Sequence, residues 1–264
     1  MLKAEQVYYS IQKKNILKGI SAEFLPGRFN MILGPNGSGK STFLKIFSGE
    51  ITSYRGTVFY GNQQLAAYNK EELAKHRAVM SQQPELSFPL TVEEVVMMGR
   101  YPHFNFNPNK KDEDICKQVM DLLHLSSFKE RNYLTLSGGE KQRVQYARVL
   151  AQVFEKPAAG CRYLFLDEPL TSLDINYQQE FLQIARQCIT ADTVLVAVMH
   201  DINLAIQYAD NLFFLKEGEL IAHGKPKEIV NSALIRKVFN VDVSIINNPV
   251  NDSPLVVYNS IIPY

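Results

Sequence analysis

The chain has 264 residues, 46% hydrophobic and 21% charged, which is long enough for one large domain or two closely packed domains with a sizeable core. Its 28 basic residues nearly balance its 27 acidic ones, so nothing in the charge favours a nucleic-acid partner. Three cysteines without metal-site spacing predict reduced thiols, and the absence of a long apolar run or signal-like start predicts a chain that neither crosses a membrane nor is exported.

The first 33 residues alternate short apolar and polar runs and are broken by a Pro-Gly pair, which predicts antiparallel strands leading into a buried strand over residues 29–33. Tyr8 and Tyr9 lie in the first of these strands. Either ring could stack on an adenine or simply pack in the sheet, and the sequence leaves both readings open.

A nine-residue run after residue 33 fits the phosphate-loop pattern G-x-x-x-x-G-K-[ST] in full. It consists of Gly34, Pro35, Asn36, Gly37, Ser38, Gly39, Lys40, Ser41 and Thr42. Its glycines let backbone N–H groups turn toward phosphates, Lys40 can reach the outer phosphates, and Ser41 offers a hydroxyl to Mg²⁺. Residues 42–47 continue as a predicted helix whose N-terminus favours anions. The run therefore predicts a nucleoside triphosphate site.

Residues 53–60 are predicted as a strand pair and residues 70–75 as a charged helical turn. Gln82 follows the next strand, where its amide oxygen could lie near Mg²⁺ or an attacking water, although most glutamines are solvated surface residues. Residues 84–155 show mainly helical spacing, with Thr91 as a predicted N-cap. They are interpreted as a helical segment inserted into an α/β core.

Within that segment, Ser137, Gly138 and Gly139 precede a long predicted helix. A hydroxyl and bare backbone N–H groups at a helix start form an anion-binding surface, although a simple N-cap would have the same composition. The chain would then carry two phosphate-binding faces.

Two further apolar strands end in polar residues. Residues 163–166 are followed by Asp167 and Glu168, and residues 193–199 by His200. Asp167 could hold Mg²⁺, Glu168 could deprotonate the attacking water, and His200 could contact the γ-phosphate. Since open α/β sheets gather such groups at the carboxyl ends of their strands, the active site is predicted to assemble from distant sequence.

The remainder is predicted as a β-hairpin over residues 211–224 with its turn at Glu217 and Gly218, then a helix pair over residues 226–239. Residues 241–264 contain short β-like runs, and no chemistry is assigned to them.

With these motifs in this order, the chain resembles the ATP-binding subunits of ABC transporters over about residues 2–240. The fold that this implies is α/β, a P-loop NTPase core of ABC type with an antiparallel β subdomain and an inserted α-helical subdomain. Residues 1–264 would form a single ATP-binding domain, with residues 1–83 and 156–240 as core and β subdomain, 84–155 as helical insert and 241–264 as tail.

The resemblance implies ATP and Mg²⁺ as ligands, with Lys40, Glu168 and His200 as catalytic residues and Mg²⁺ held by Ser41, Gln82 and Asp167. It further implies a head-to-tail dimer in which Ser137, Gly138 and Gly139 of one copy cap the nucleotide bound by the other. Residues 172–174 would form the loop that crosses to the partner copy.

Two positions depart from the family pattern. The adenine-stacking aromatic is replaced by Ile11, which leaves Tyr9 as the nearest substitute, and the loop after the acids reads Pro-Leu-Thr-Ser-Leu-Asp but keeps Asp174.

Within the family, residues 86–100 resemble subunits that import iron chelates and corrinoids, and residues 144–152 and 155–162 resemble haem importers. The implied function is ATP hydrolysis that powers import of hemin or a related iron chelate, with a ferric siderophore or cobalamin as the alternative. The implied partners are transmembrane permease subunits and, indirectly, an extracytoplasmic binding protein. The implied location is peripheral, at the cytoplasmic face of the cell (inner) membrane.

Two rival classes remain. A soluble ABC ATPase acting on ribosomes or DNA would carry two cassettes or a long coiled coil, and this chain has one cassette without sustained heptads. A non-catalytic scaffolding cassette would be expected to lack Lys40, Glu168 or His200, all of which are present.

Overall fold

The computed structural model describes residues 1–81, 86–156, 160–171 and 173–259. The strands are β1 (Leu2–Ile11), β2 (Lys14–Phe24), β3 (Arg28–Leu33), β4 (Arg55–Tyr60), β5 (Gln63–Gln64), β6 (Arg77–Met80), β7 (Arg162–Asp167), β8 (Thr193–Val198), β9 (Asn211–Lys216), β10 (Glu219–Gly224), β11 (Val243–Asn247) and β12 (Pro254–Tyr258). The α-helices are α1 (Lys40–Phe47), α2 (Lys70–His76), α3 (Val92–Met97), α4 (Lys110–Leu122), α5 (Gly138–Gln152), α6 (Ile175–Gln187), α7 (Ile202–Tyr208), α8 (Pro226–Ile229) and α9 (Ser232–Phe239).

Three sheets organise the described residues. A four-stranded antiparallel sheet has the order β2-β1-β4-β5, and a six-stranded sheet has the order β10-β9-β3-β8-β7-β6. In the larger sheet, β6, β7, β8, β3 and β9 run parallel, and only β10 at the edge is antiparallel. The third is a hairpin of β11 and β12. Parallel pairing brings the carboxyl ends of β3, β7 and β8 to one edge of the sheet.

The large parallel sheet separates two hydrophobic cores. One core fills the space between the two larger sheets around α1, where Phe24, Phe43 and Phe47 pack ring against ring. The other lies on the opposite face and joins the sheet to α3, α4, α5, α6, α7 and α9. The strand β3 is buried along five of its six residues, as expected for a central parallel strand.

Short polar motifs set where three of the helices begin. The side chain of each N-cap residue accepts a hydrogen bond from the backbone N–H three residues on. In return, the backbone N–H of the cap donates to the side chain of that third residue. The three caps are Thr91 before α3, Asn109 before α4 and Ser137 before α5. Such capping boxes satisfy two otherwise unpaired N–H donors at a helix start. The predicted N-cap at Thr91 is confirmed.

The turn between β9 and β10 fastens the antiparallel sheet to the phosphate loop. The Gly218 N–H donates to Ser38 O at 3.1 Å, and Gly218 O accepts from Lys18 N at 2.9 Å. Gly218 has φ of +82°, and a Cβ there would lie 2.4 Å from Ile16 O. Only glycine therefore fits this crossing of three segments.

Several predicted elements match the structure, and others differ from it. The antiparallel first strands, the hairpin over residues 211–224 and the helix pair over residues 226–239 are confirmed. The predicted strand pair within residues 53–60 is wrong, because β4 occupies that stretch alone and its partner β5 follows the turn at Gly61. The helix predicted to start at Thr42 begins at Lys40, because its first turn is part of the phosphate loop.

Candidate functional site

A cleft of about 480 Å³ lies at the carboxyl ends of β3, β7 and β8. Its lining comprises Lys14, Ile16, Asn36, Gly37, Ser38, Gly39, Lys40, Ser41, Thr42, Glu168 and His200. Residues that follow three strands distant in sequence thus meet at one edge of the sheet, as the sequence predicted, and Lys14 and Ile16 of β2 form a fourth part of the lining.

The phosphate loop, residues 34–42, is already folded into a cradle. Lys40 Nζ donates to Gly34 O at 2.9 Å and to Pro35 O at 3.1 Å, so the side chain closes the loop on itself. Gly39 is the N-cap of α1 and supplies no side-chain cap, which leaves the first N–H groups of the helix facing the cleft. Ser38 Oγ is buried without a hydrogen-bond partner among the described residues. An anion with several acceptor oxygens would satisfy these donors.

A hydrogen bond joins the loop to the acidic strand end. Ser41 Oγ donates to Asp167 Oδ1 at 3.0 Å, at the point where β7 ends. A hydroxyl and a carboxylate side by side are ligands that Mg²⁺ takes together with phosphate oxygens and water. Across the described ranges, no group of three or more His, Cys, Asp or Glu side chains could hold a metal ion by itself. The Ser41 hydroxyl and the Asp167 carboxylate therefore fit Mg²⁺ as part of its set of ligands.

Burial disfavours the charged forms of both Lys40 and Asp167. Burial lowers the pKa of Lys40, an effect that Glu168 and Asp167 oppose. Burial also raises the pKa of Asp167, against the hydrogen bond from Ser41. A lysine that lines a cleft and an aspartate behind it, both desolvated, are typical of a binding site rather than of a stabilising ion pair.

Glu168 and His200 form a pair across neighbouring strand ends. His200 Nε2 lies 2.7 Å from Glu168 Oε1; the Glu168 side chain is 13% exposed and that of His200 is 46% exposed. Glu168 has φ of +52°, a left-handed conformation that is costly for a non-glycine residue. Its N–H donates to Val198 O at 3.2 Å, which extends the pairing with β8 one residue beyond β7. The kink turns the Glu168 carboxylate toward both the cleft and His200.

Ser137, Gly138 and Gly139 lie away from this cleft. They start α5, where Ser137 and Gly138 are exposed, and none of the three lines the cleft of the same chain in the part that the structure describes. Asp174 caps α6 by accepting from the Tyr177 N–H at 3.0 Å. Gln82 and Ser172, which the sequence predicted as a metal ligand and as part of the crossing loop, lie outside the described residues.

Tyr9 lines a different cavity, of about 530 Å³, together with Tyr8, Leu17, Tyr54 and Arg55 among others. Ile11, which holds the usual aromatic position, is 51% exposed at the end of β1. Stacking of adenine on Tyr9 therefore stays a prediction.

Lys14 and Ile16 line the cleft beside the phosphate loop, which is called the phosphate cleft below, and the sequence analysis predicted neither of them. The intervening Asn15 and the following Leu17 line the Tyr9 cavity instead. Because successive side chains of a strand point to opposite faces, the alternation over residues 14–17 is the signal that could have separated the two sets, although Lys18 departs from it by also lining the Tyr9 cavity.

A matched pair of loop substitutions tests how tightly the phosphate loop is packed. Gly39 has φ of +98° and Gly37 has φ of +77°, so alanine meets similar backbone strain at both positions. A Cβ at Gly39 would lie 2.7 Å from the buried Leu17 Cδ2 and 3.1 Å from Ile16 O, whereas one at Gly37 meets nothing within 4 Å. In urea unfolding without nucleotide, Gly39→Ala is expected to destabilise the protein by about 1–3 kcal/mol more than Gly37→Ala. Equal losses would contradict this packing.

The pH dependence of stability tests the burial of Asp167. An aspartate whose folded pKa is raised favours the folded state only as it becomes protonated, so its cost is fully present at high pH and shrinks as pH falls toward its unfolded pKa. Asp167→Asn is therefore expected to raise the unfolding free energy of the nucleotide-free protein at pH 8, with the gain shrinking on acidification. Denaturant unfolding at a series of pH values measures it.

Asp210→Asn is the control, and its effect on the unfolding free energy is expected to have the opposite sign. Burial alone would raise the pKa of Asp210, but hydrogen bonds from Arg186 and the Phe29 N–H hold it below its usual value. Asp210 thus stabilises the fold above its unfolded pKa, and this contribution is lost as pH falls. Its replacement should lower stability at pH 8. If Asp167→Asn also lowered the unfolding free energy at pH 8, the ionised Asp167 side chain would not be destabilising the folded state.

Comparisons with known proteins agree with this architecture. The family model for ABC transporters matches residues 17–171. A relative from Gloeobacter violaceus, named hemin import ATP-binding protein HmuV, is 42% identical over 97% of this chain and 94% of its own length. A relative of the same name from Escherichia coli O157:H7 is 38% identical over 97% of this chain and 99% of its own length.

A solved dimeric structure of MJ0796, a bacterial ABC transporter cassette, superposes with a TM-score of 0.71 at 27% identity and covers 85% of this chain and 98% of that one. Within the described residues, none of the helices combines the length and the apolar character needed to span a bilayer. The phosphate loop, the acidic strand end and these matches together identify the chain as an ATP-binding cassette of the ABC transporter family.

Proposed function

We propose that the chain is the ATP-hydrolysing subunit of an ABC importer for hemin or a related iron chelate. The observation that carries the hydrolytic part is the Glu168–His200 pair, 2.7 Å apart and facing the phosphate cleft. The relatives that are named hemin import ATP-binding proteins support the substrate.

In this proposal, the phosphate loop and Lys40 bind the triphosphate and neutralise its charge. Glu168 takes the proton of the attacking water as general base. His200 holds the Glu168 carboxylate through their 2.7 Å contact and contacts the transferring phosphoryl group. The chemistry asks for positioning and charge stabilisation, because phosphoryl transfer gives the protein little covalent work to do.

The proposed ligands of Mg²⁺ are Ser41, Asp167 and Gln82, of which the first two are among the described residues. The Ser41 hydroxyl and the Asp167 carboxylate lie 3.0 Å apart, so both would be within reach of one ion. When bound, Mg²⁺ would supply positive charge that stabilises the negative charge developing on the phosphates. Burial raises the pKa of Asp167, and a cation at this position would offset that effect by favouring the carboxylate.

We further propose that two copies bind ATP between them in a head-to-tail arrangement. Ser137 and Gly138 are exposed at the start of α5 and do not reach the cleft of their own chain. The Ser137 N–H donates to Glu140 Oε2 at 2.7 Å, so it is the Gly138 N–H and the Ser137 hydroxyl that would serve a nucleotide held elsewhere. MJ0796, a cassette of the same family, is dimeric. Tyr9 is proposed to stack on the adenine, since it is the aromatic residue nearest the usual position.

The remaining parts of the proposal concern coupling. Residues 1–83 and 156–240 would act as the ATPase core, and the helical segment 84–155 would transmit closure of the dimer to transmembrane permease subunits. Residues 241–264 are the tail. The subunit would lie at the cytoplasmic face of the cell (inner) membrane, and an extracytoplasmic binding protein would deliver the substrate to the permease.

Replacement of the proposed base separates binding from hydrolysis. Glu168→Gln is expected to lower turnover by about 10²- to 10⁴-fold, because the amide cannot take the proton, while ATP binding persists. Phosphate release and nucleotide affinity measure the two effects. Glu217→Gln is the matched control, since Glu217 also has a positive φ, of 50°, but is exposed in the β9–β10 turn. Hydrolysis by Glu168→Gln at the wild-type rate would rule out Glu168 as the base.

Reconstitution tests the substrate. ATPase activity of the chain with its co-expressed membrane partner in liposomes is expected to rise when haem-loaded binding protein is added, because substrate delivery favours closure of the cassettes. Stimulation by a ferric siderophore or corrinoid complex instead would keep the mechanism and reject hemin. Activity that responds to ribosomes but to no binding protein would reject the transporter role.

A further inference from the structure

The hairpin of β11 and β12 closes over the second core instead of standing in solvent. Val243 is 6% exposed and Val256 is 3% exposed, and both belong to the core that includes α7 and α9. The strand β12 lies against α7, and β11 against α9. Because an isolated two-stranded hairpin is marginally stable in water, its order must come from this docking.

One side chain secures the outer edge of the hairpin to α7. Asn203 Nδ2 donates to Val256 O at 3.0 Å, and Asn203 Oδ1 accepts from the Val256 N–H at 2.9 Å. A single amide therefore supplies the donor and the acceptor that a neighbouring strand would have supplied. Since Val256 is buried, both of its backbone groups would be left without a partner if this amide were lost.

Asn203 stands three residues after His200, in the first turn of α7. Asp201 caps that helix by accepting from the Leu204 N–H at 2.9 Å, and Ile202 is 4% exposed in the core. On the other side, the Met199 N–H donates to Ile32 O at 3.0 Å and fixes the chain to β3. The backbone of His200 is thus held between the sheet and the first turn of α7.

The helix α7 cannot hold that position by itself. It has seven residues, about two turns, and helices of this length gain their stability from packing rather than from their own hydrogen bonds. The His200 side chain is 46% exposed and contacts Glu168, so the placement of its ring depends on the placement of its backbone. The amide of Asn203 is the polar contact that joins this turn to the hairpin.

We infer that Asn203 is a positioning residue, which holds α7 against the β11–β12 hairpin so that His200 stays within hydrogen-bond distance of Glu168. The inference rests on the proposed function, because it matters for turnover only if the Glu168–His200 pair acts on the phosphate. It also gives the hairpin a role in the ATPase site, about 50 residues further along the chain than His200.

The test compares Asn203→Leu with the wild type, since leucine has a similar volume but forms no hydrogen bond. We expect kcat to fall about 10- to 100-fold, because a displacement of a reacting group by about 1 Å has effects of this size. KM for ATP should stay within about twofold, because the phosphate loop is untouched. Gln207→Leu is the matched control, as Gln207 is exposed on the same helix, and it should keep the wild-type kcat.

A spectroscopic readout separates positioning from a loss of stability. The chain has five histidines, so the imidazole resonance of His200 can be assigned in a histidine-labelled sample by comparison with His200→Ala. In Asn203→Leu this resonance should shift or broaden, while those of the other four histidines stay in place. Asn203→Asp keeps the acceptor for the Val256 N–H but loses the donor, and its effects should be intermediate. That variant also serves as the test if Asn203→Leu does not fold.

The outcomes are distinct. An unmoved His200 resonance with wild-type kcat in a folded Asn203→Leu or Asn203→Asp protein overturns the inference and leaves the proposed function standing. Wild-type turnover in His200→Ala overturns the proposed role of His200 itself, and the role of Asn203 in turnover with it. A fall in kcat that accompanies a displaced His200 resonance supports both.

Discussion

The parallel pairing of β3, β7 and β8 is the constraint on which the site depends. Val198 lies opposite Ile32 on one side and Asp167 on the other, so the ends of three strands are aligned to within a residue. A slip of one residue between β7 and β8 would turn Glu168 to the opposite face of the sheet and separate it from His200, and a slip between β3 and β8 would displace both from the phosphate loop. The 2.7 Å contact between them is therefore a consequence of register, which the two hydrophobic cores fix from both faces.

The same alignment brings together charges that the fold alone does not favour. Burial lowers the pKa of Lys40 and raises the pKa of Asp167, so it favours the neutral form of each side chain. Ser38 Oγ is buried without a partner in the described part of the chain, and Glu168 adopts a left-handed backbone. Each feature is unfavourable to the empty protein and suits a bound triphosphate with its cation. Such a site trades stability for function, and the cores on either side of the sheet offset the loss.

Sequence alone predicted what depends on short range. The phosphate loop, the capping residue Thr91 and the β9–β10 turn are local patterns, and each has a local physical cause. The ends of three strands could also be placed together, because parallel sheets gather them. Contacts set by packing could not be predicted. That Tyr9 faces another cavity, that Gly218 touches Ser38, and that Asn203 binds the hairpin depend on how separate sheets and helices meet.

The position of β3 in the sheet has a consequence for synthesis of the chain. Its neighbours are β8 and β9, which begin at residues 193 and 211, while β3 itself ends at residue 33. Until those strands leave the ribosome, a strand that is buried along five of its six residues in the folded protein has two unpaired edges. For most of the time that the chain is being translated, β3 therefore has no neighbouring strand of its sheet to pair with. During that interval it is open to mispairing with other chains and to capture by chaperones.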